Sequence, residues 1–412
     1  MQRVSISSHQ SPVHKLGDTQ MRLSPKFRLQ KTLPPPCPSD SKLTIELGPV
    51  IPGLPDDIAL TCLLRLPLNL HSTCRAVCRR WQHILARKEL FFAQRRALGF
   101  SSPFLFTFAF HRCNGQVQWQ VLDLTHLCWH TIPAMPCRDR VCPHGIGCVA
   151  IPHDSSLLVC GGIVSDMDCP LHLVLKFEVC RNRWTVMTRM HTPRSFFAGG
   201  VIDGMVYVAG GFSTDQYELD SAEVFDPVCG TWHPVARMLT NMSSYDSVVL
   251  GGKLYVTEGW VWPFLSSPRG QVYDPKTDTW ESMAAGMREG WTGLSVILDG
   301  HLFVISEHEG MRVKVYDTES DSWGTVEGCS VPERIRKPFS VSANGWTIYV
   351  VGRGLHVAIG FVQRESSVVS VDSLVKSCFS IRWYEVDVPI AFCDLTPSCT
   401  QVLFGEERDI DS

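Results

Sequence analysis

The chain has 412 residues, more than one compact domain usually holds. A hydrophobic share of 44% and a mean hydropathy of +0.02 fit a globular protein with a sizeable core, and a net charge of −3 excludes a global pull toward nucleic acid or anionic membrane. No apolar run reaches the roughly 18 residues that a membrane span needs.

Residues 1–45 carry seven Lys/Arg against two Asp/Glu, together with the cluster TLPPPCPSD. Such a segment buries little surface and is expected to be a disordered N-terminal tail. Organelle transit peptides share its Ser-rich, acid-poor composition, but a flexible tail is the plainer reading. Residues 1–30 lack the apolar run of a secretory signal. The 17 cysteines are odd in number and irregular in spacing, so reduced intracellular thiols are expected, in the cytoplasm and/or nucleus.

Residues 51–95 predict helices. LPDDIALTCLLRLP places Pro55 and then two acids at a helix start, which suits the N-terminal dipole. Its apolar residues Ile58, Leu60, Leu63, Leu64 and Leu66 end at Pro67. Cys74, Val77, Cys78, Trp81, Ile84 and Leu85 then form one helical stripe, with Arg75, Arg79, Arg80 and Arg87 largely off it. So short a segment has little interior of its own. Part of this apolar surface therefore needs a partner.

From residue 103 onward, short runs rich in Val, Ile, Phe and Tyr alternate with Gly, Asp, Pro and Asn turns, which predicts β-structure. A repeat runs through it. Trp129, Trp184, Trp232, Trp280, Trp323 and Trp383 recur at steps of 55, 48, 48, 43 and 60. Seven residues before the first five stand Leu122, Phe177, Phe225, Tyr273 and Tyr316. Each is followed by an acid: Asp123, Glu178, Asp226, Asp274 and Asp317. The glycine pairs Gly161–Gly162 and Gly210–Gly211 precede the second and third tryptophans. FFAGGVI and MVYVAGG read as inner strands, being almost wholly apolar; AEVFDP and TWHPVAR alternate and read as outer strands. In VYDPKTDTW, Asp274 and Pro275 shape a turn, while Tyr273 and Trp280 supply apolar area between sheets.

This pattern resembles the kelch repeat, over roughly residues 103–405. The resemblance implies an all-β propeller of six blades, with repeats near 103–136, 147–190, 196–238, 245–287, 292–332 and 338–388. The first repeat has second, third and fourth strand candidates but no first. CTQVLFG at 399–405 is an orphan strand, so it is expected to enter the first blade and close the ring, leaving 406–412 as a tail.

Residues 51–95 resemble the F-box, through the Leu-Pro opening, central leucines, Leu-Pro close and terminal Val-Cys-x-x-Trp. F-box plus kelch is an architecture common in plants. It implies a substrate-recognition subunit of an SCF-type (cullin-RING) ubiquitin ligase: the F-box docks on the Skp adaptor, the propeller holds a protein target, and the chain is no enzyme. Adaptor contacts carry over to Leu54, Pro55, Ile58, Leu63, Leu66, Pro67, Val77 and Trp81, divided about evenly with the module's own core.

Other clusters carry less. Cys137, Cys142, His144 and Cys148 offer zinc-type ligands, but C-x4-C-x-H-x3-C is no standard spacing, and loop and core thiols are the plainer reading. No metal or cofactor is expected. Arg194 is either a partner contact at the channel mouth or a structural arginine satisfied by nearby backbone. PERIRKP, with Arg334, Arg336 and Lys337, is a basic inter-blade loop, for which a solvated surface is the plainer reading and contact with an acidic target the alternative. Glu307 and Glu309 lie in a surface loop. No phosphate-cradling loop, nucleophile elbow or H-E-x-x-H motif is present. The competing readings are a kelch scaffold, which needs no docking hairpin, and a copper-oxidase-like enzyme, for which no Tyr, Cys and His set stands out.

Overall fold

The computed structural model describes residues 49–66, 70–86, 91, 94–95, 98, 103–136, 141–152, 155–164, 169–260, 266–365 and 378–404. The N-terminal tail, Pro67, Cys137, the side chains of Cys142 and His144, and residues 406–412 lie outside that set. No helix among the described residues is long and apolar enough to cross a membrane.

Three short helices come first: α1 (Asp56–Leu64), α2 (His71–Arg75) and α3 (Arg79–Ala86). They enclose a small core of Val50, Ala59, Leu63, Leu64, Cys74, Leu85 and Phe91. Six sheets follow, each a propeller blade; all are antiparallel except that in blade 6 the short strand Glu327–Gly328 pairs in parallel with Cys378–Val386. Blade 3 shows the plan: Ala198–Ile202, Met205–Ala209, Ala222–Asp226 and Thr231–Val235 run in order from channel to rim. Its two inner strands are apolar because neighbouring blades cover both faces.

The tryptophan repeat has one geometry in blades 2 to 5. The antiparallel register sets Phe177 opposite Trp184, Phe225 opposite Trp232, Tyr273 opposite Trp280 and Tyr316 opposite Trp323. Each ring pair sits 5.0–5.3 Å apart and tilted, the favoured arrangement for aromatics. Each indole N–H then donates to the linker from the preceding blade: Trp184 to Pro133 O at 2.7 Å, Trp232 to Thr188 O at 2.9 Å and Trp280 to Ala236 O at 2.8 Å. Trp323 bonds Gly286 O at 3.0 Å and Trp383 bonds Cys329 O at 3.1 Å. One residue thus ties a rim strand, its partner strand and the previous blade. The aspartate after the aromatic caps the turn in blades 3 to 5: Asp226 Oδ1 accepts from Val228 N at 2.7 Å, Asp274 Oδ1 from Lys276 N at 2.9 Å and Asp317 Oδ1 from Glu319 N at 3.0 Å, while Glu178 of blade 2 pairs with Arg181 instead. Tyr273 and Tyr316 donate to Asp278 at 2.8 Å and Asp321 at 2.7 Å. Trp280→Ala removes a 6%-exposed indole from this corner and is expected to cost on the order of 3–5 kcal/mol in denaturant unfolding. A loss below about 1 kcal/mol would show that the corner collapses around the gap.

The glycine pairs have a packing reason. A Cβ on Gly161 would stand 2.3 Å from Arg194 O, and one on Gly210 would stand 2.4 Å from Met242 O. Both glycines also hold positive φ, +61° and +65°. Blade 6 solves its corner differently. Gly360 stands opposite Trp383, and a Cβ there would meet the indole at 2.6 Å. The missing aromatic-acid pair of the sixth repeat is this substitution of glycine for the facing ring.

Blade 1 is closed by the chain end. Its order from channel to rim is Leu395–Phe404, Pro103–His111, Val117–Asp123 and Cys128–Thr131. The closing strand begins at Leu395, earlier than the sequence pattern indicated. It pairs with Pro103–His111 through a register shift between Phe108 and Ala109, where Pro397 enters the ladder. It also bonds both neighbours: Gln401 Nε2 donates to Cys148 O of blade 2 at 3.0 Å, Ser342 Oγ of blade 6 accepts from Val402 N at 3.1 Å, and Thr400 pairs with Ser340 of blade 6.

Antiparallel topology sorts the loops. Loops joining second to third strands share one face with the inter-blade linkers; hairpins joining third to fourth strands lie on the other. Arg75 Nη2 donates to Arg181 O at 3.1 Å, within a third-to-fourth connection of blade 2, so the helical module meets the hairpin face.

Candidate functional site

The helical module offers one surface. Pro55 caps α1, and Asp56 and Asp57 occupy its first turn. Asp56 Oδ1 accepts from Val50 N at 2.9 Å and Oδ2 from Arg80 Nη2 at 2.5 Å; the backbone N–H is the main cause of its lowered pKa. Trp81 Nε1 donates to Val50 O at 2.7 Å. Buried Arg95 reaches the C-terminus of α1, donating to Leu64 O at 2.5 Å and Leu66 O at 2.7 Å. His71 is buried, with a ring nitrogen 3.1 Å from Leu66 O and its ring edge-on to Phe91 at 5.6 Å. Burial is the main reason its pKa falls to about 4, so it is neutral at physiological pH.

These contacts divide the eight residues carried over from the F-box motif. Leu54, Ile58 and Val77 are 40%, 49% and 60% exposed, and Pro55 is exposed. Leu63 is in the core at 1% exposure, and Leu66 and Trp81 pack against that core. As an adaptor contact Leu63 is therefore corrected, because its apolar surface is spent within the module; Leu66 and Trp81 are half-buried and keep part of their surface outside. Pro67 lies outside the described residues. The burial of His71 and Arg95 could not be read in the sequence because each has polar neighbours, Ser72 beside His71 and Gln94 and Arg96 beside Arg95, as a solvated residue would.

The propeller face with the inter-blade linkers is the second surface. Arg194, offered as a partner contact, is fully buried. Its guanidinium donates to Gly210 O at 2.8 Å, Ser221 O at 3.0 Å and Glu223 Oε1 at 2.7 Å. It is a structural arginine, and the partner reading is withdrawn. Arg334 and Arg336 are exposed on the linker into blade 6, with Arg334 3.4 Å from Glu385 Oε2. Glu307 is bonded by Tyr245 Oη at 2.6 Å and paired with Lys337 at 2.6 Å, and Glu309 pairs with Lys314. The two carboxylates are thus held by side-chain pairs. Arg269 bridges Glu258 at 2.6 Å and Glu218 at 3.1 Å. Trp260, Glu289, Thr292 and His308 line an open pocket of about 230 Å³ between blades 4 and 5. Phe196 holds a φ of +51° and is 39% exposed on the linker into blade 3. An aromatic in that conformation is strained.

A helical module with an exposed Leu-Pro opening, joined to a six-bladed propeller closed by its C-terminal strand, defines an F-box/kelch architecture. Residues 51–93 match the F-box domain, and residues 131–358 match the FKB95 kelch-repeats domain. The chain is 53% identical over 408 residues to the F-box/kelch-repeat protein At1g30090 of Arabidopsis thaliana, covering 98% of this chain and 100% of that one. It is 36% identical over 360 residues to the F-box protein AFR of the same plant, covering 86% and 93% of the two chains. The chain belongs to the F-box/kelch-repeat family.

Proposed function

We propose that this chain is the substrate-recognition subunit of an SCF-type ubiquitin ligase, working in the cytoplasm and/or nucleus. The F-box docks on the Skp adaptor, and the propeller holds the protein to be ubiquitinated. The chain itself is non-catalytic; its contribution is proximity. The observation that carries this reading is the division within the F-box. The module closes a core of its own around Leu63, Leu64 and Leu85 and still leaves Leu54, Pro55, Ile58 and Val77 outside. An exposed apolar group on so small a module is a binding surface. The propeller face with the linkers, which carries Tyr245, Trp260, Phe196 and Arg334, is the surface left for a target when the F-box meets the hairpin face.

Leu54 and Pro55 changed together to Ala are expected to abolish co-purification of the Skp adaptor. Thermal melting of the propeller should stay unchanged, because neither residue belongs to its core. Undiminished co-purification would remove the docking assignment.

A further inference from the structure

The rim of blade 1 gathers metal-ligating side chains. Asp123 ends the third strand, and Cys128 begins the outermost strand directly opposite it. Strand alternation puts Cys128 and His130 on the same face. A carboxylate oxygen of Asp123, Cys128 Sγ and a ring nitrogen of His130 all lie within 4.8 Å of one another, with Sγ 3.2 Å from His130 Nε2. The carboxylate is 2% exposed, while the thiol and imidazole are half-buried and reachable.

Asp123 keeps its turn role alongside this. Its Oδ1 accepts from Thr125 N at 2.8 Å and His126 N at 3.1 Å, and its Oδ2 faces His126 Nδ1 at 2.8 Å. A carboxylate oxygen with one such contact still has a lone pair to give. The donor set is peculiar to this blade. The same register positions hold Asp226, Thr231 and His233 in blade 3, Asp274, Thr279 and Glu281 in blade 4, and Asp317, Ser322 and Gly324 in blade 5. Turn and strand therefore do not require a thiol and an imidazole here.

We propose that Asp123, Cys128 and His130 bind a zinc ion at the rim of blade 1. Thiolate, imidazole and carboxylate are the three ligand types zinc prefers, and solvent completes a tetrahedron. A tetrahedral zinc with Zn–S and Zn–N distances of about 2.3 and 2.1 Å sets its ligand atoms roughly 3.5 Å apart; Sγ and Nε2 stand close to that at 3.2 Å, and side-chain rotation brings in the carboxylate oxygen from within 4.8 Å. On binding, the Cys128 S–H proton leaves to solvent as the S–Zn bond forms; no electron is transferred. One thiolate and one carboxylate then neutralise the dication. His126, bonded to the carboxylate, acts as a positioning residue. The ion would pin the rim hairpin of the blade whose channel strand comes from the chain end.

The test uses the full chain, stripped by a chelator and then titrated with Co²⁺ as an optical reporter. One equivalent should give a thiolate-to-cobalt charge-transfer band that Zn²⁺ displaces. Cys128→Ser and His130→Ala should each abolish the band, and His126→Ala should weaken binding about 10–100-fold. Zn²⁺ should raise the melting temperature of the wild type and of neither ligand variant. Both ligand substitutions fall at partly exposed edge-strand positions, and an unchanged circular dichroism spectrum confirms the fold. If either variant misfolds, the other decides. Absence of a stoichiometric band, or a band retained in a folded Cys128→Ser or His130→Ala protein, overturns the proposal; the second result would assign the ion to other cysteines of the chain.

Discussion

Removing residues 396–412 is expected to unfold the propeller. The closing strand is not an appendage. Leu395 and Leu403 are 0% and 1% exposed, and Thr396 and Thr400 are buried beside them. Without the strand, Pro103–His111 loses its ladder partner over nearly its whole length. Its apolar residues, Phe104, Phe106 and Phe108 among them, then border an open channel edge. The two seams to blades 2 and 6 lose Gln401–Cys148, Val402–Ser342 and Thr400–Ser340 in the same step. A propeller gains stability from each sheet covering the next, so an unclosed ring leaves two sheet faces wet. The truncated protein should show no cooperative thermal transition by circular dichroism and should be cut rapidly by protease. A full cooperative melt would mean that the remaining strands close the ring unaided.

Arg194→Ala is the second large effect, expected to cost about 3–5 kcal/mol at neutral pH because it leaves a buried partner charge uncompensated. Glu223 is that partner. Burial pushes its carboxyl up, but the Arg194 hydrogen bond and the N–H groups of His191 and Thr192 outweigh this and hold it below its ordinary value of 4.5. A lowered folded-state pKa means stability that is present above about pH 4.5 and lost as pH falls through the folded value. In the variant the main counter-charge is gone, so burial raises the Glu223 pKa. The penalty should therefore be largest near neutral pH and shrink in acid, where the carboxyl is protonated. Arg194→Lys should rescue poorly, because one ammonium cannot reach Gly210 O, Ser221 O and Glu223 as the planar fork does. Urea titrations at several pH values measure this. A pH-independent loss, or one under about 1 kcal/mol, would detach the effect from the Arg194–Glu223 pair.

Much of this architecture is written in local pattern. VFDPVCGTW and VYDPKTDTW each hold an aromatic, a turn acid and a tryptophan within one hairpin, so strand, turn and partner are near in sequence and legible there. The orphan CTQVLFG was readable because blade 1 lacked a first strand and a sheet edge needs a partner. Leu54, Ile58 and Leu63 are all apolar residues at or near one helix, and nothing in their spacing says which of them the module keeps for itself. That depends on where Phe91, Leu85 and Val50 arrive. Arg194 stayed open in the sequence between a partner contact and a structural role because its ligands, Gly210, Ser221 and Glu223, come from the next sheet's strands and loop. Asp123, Cys128 and His130 share one hairpin, yet their convergence follows from register rather than composition. The sequence by itself determined the F-box, the blades and the corner that repeats in them, because those rest on periodicity and turn chemistry within a few tens of residues. Only the tertiary structure decided which apolar side chains remain outside and which charge lies within, because burial is a property of what folds over a residue, not of the residue.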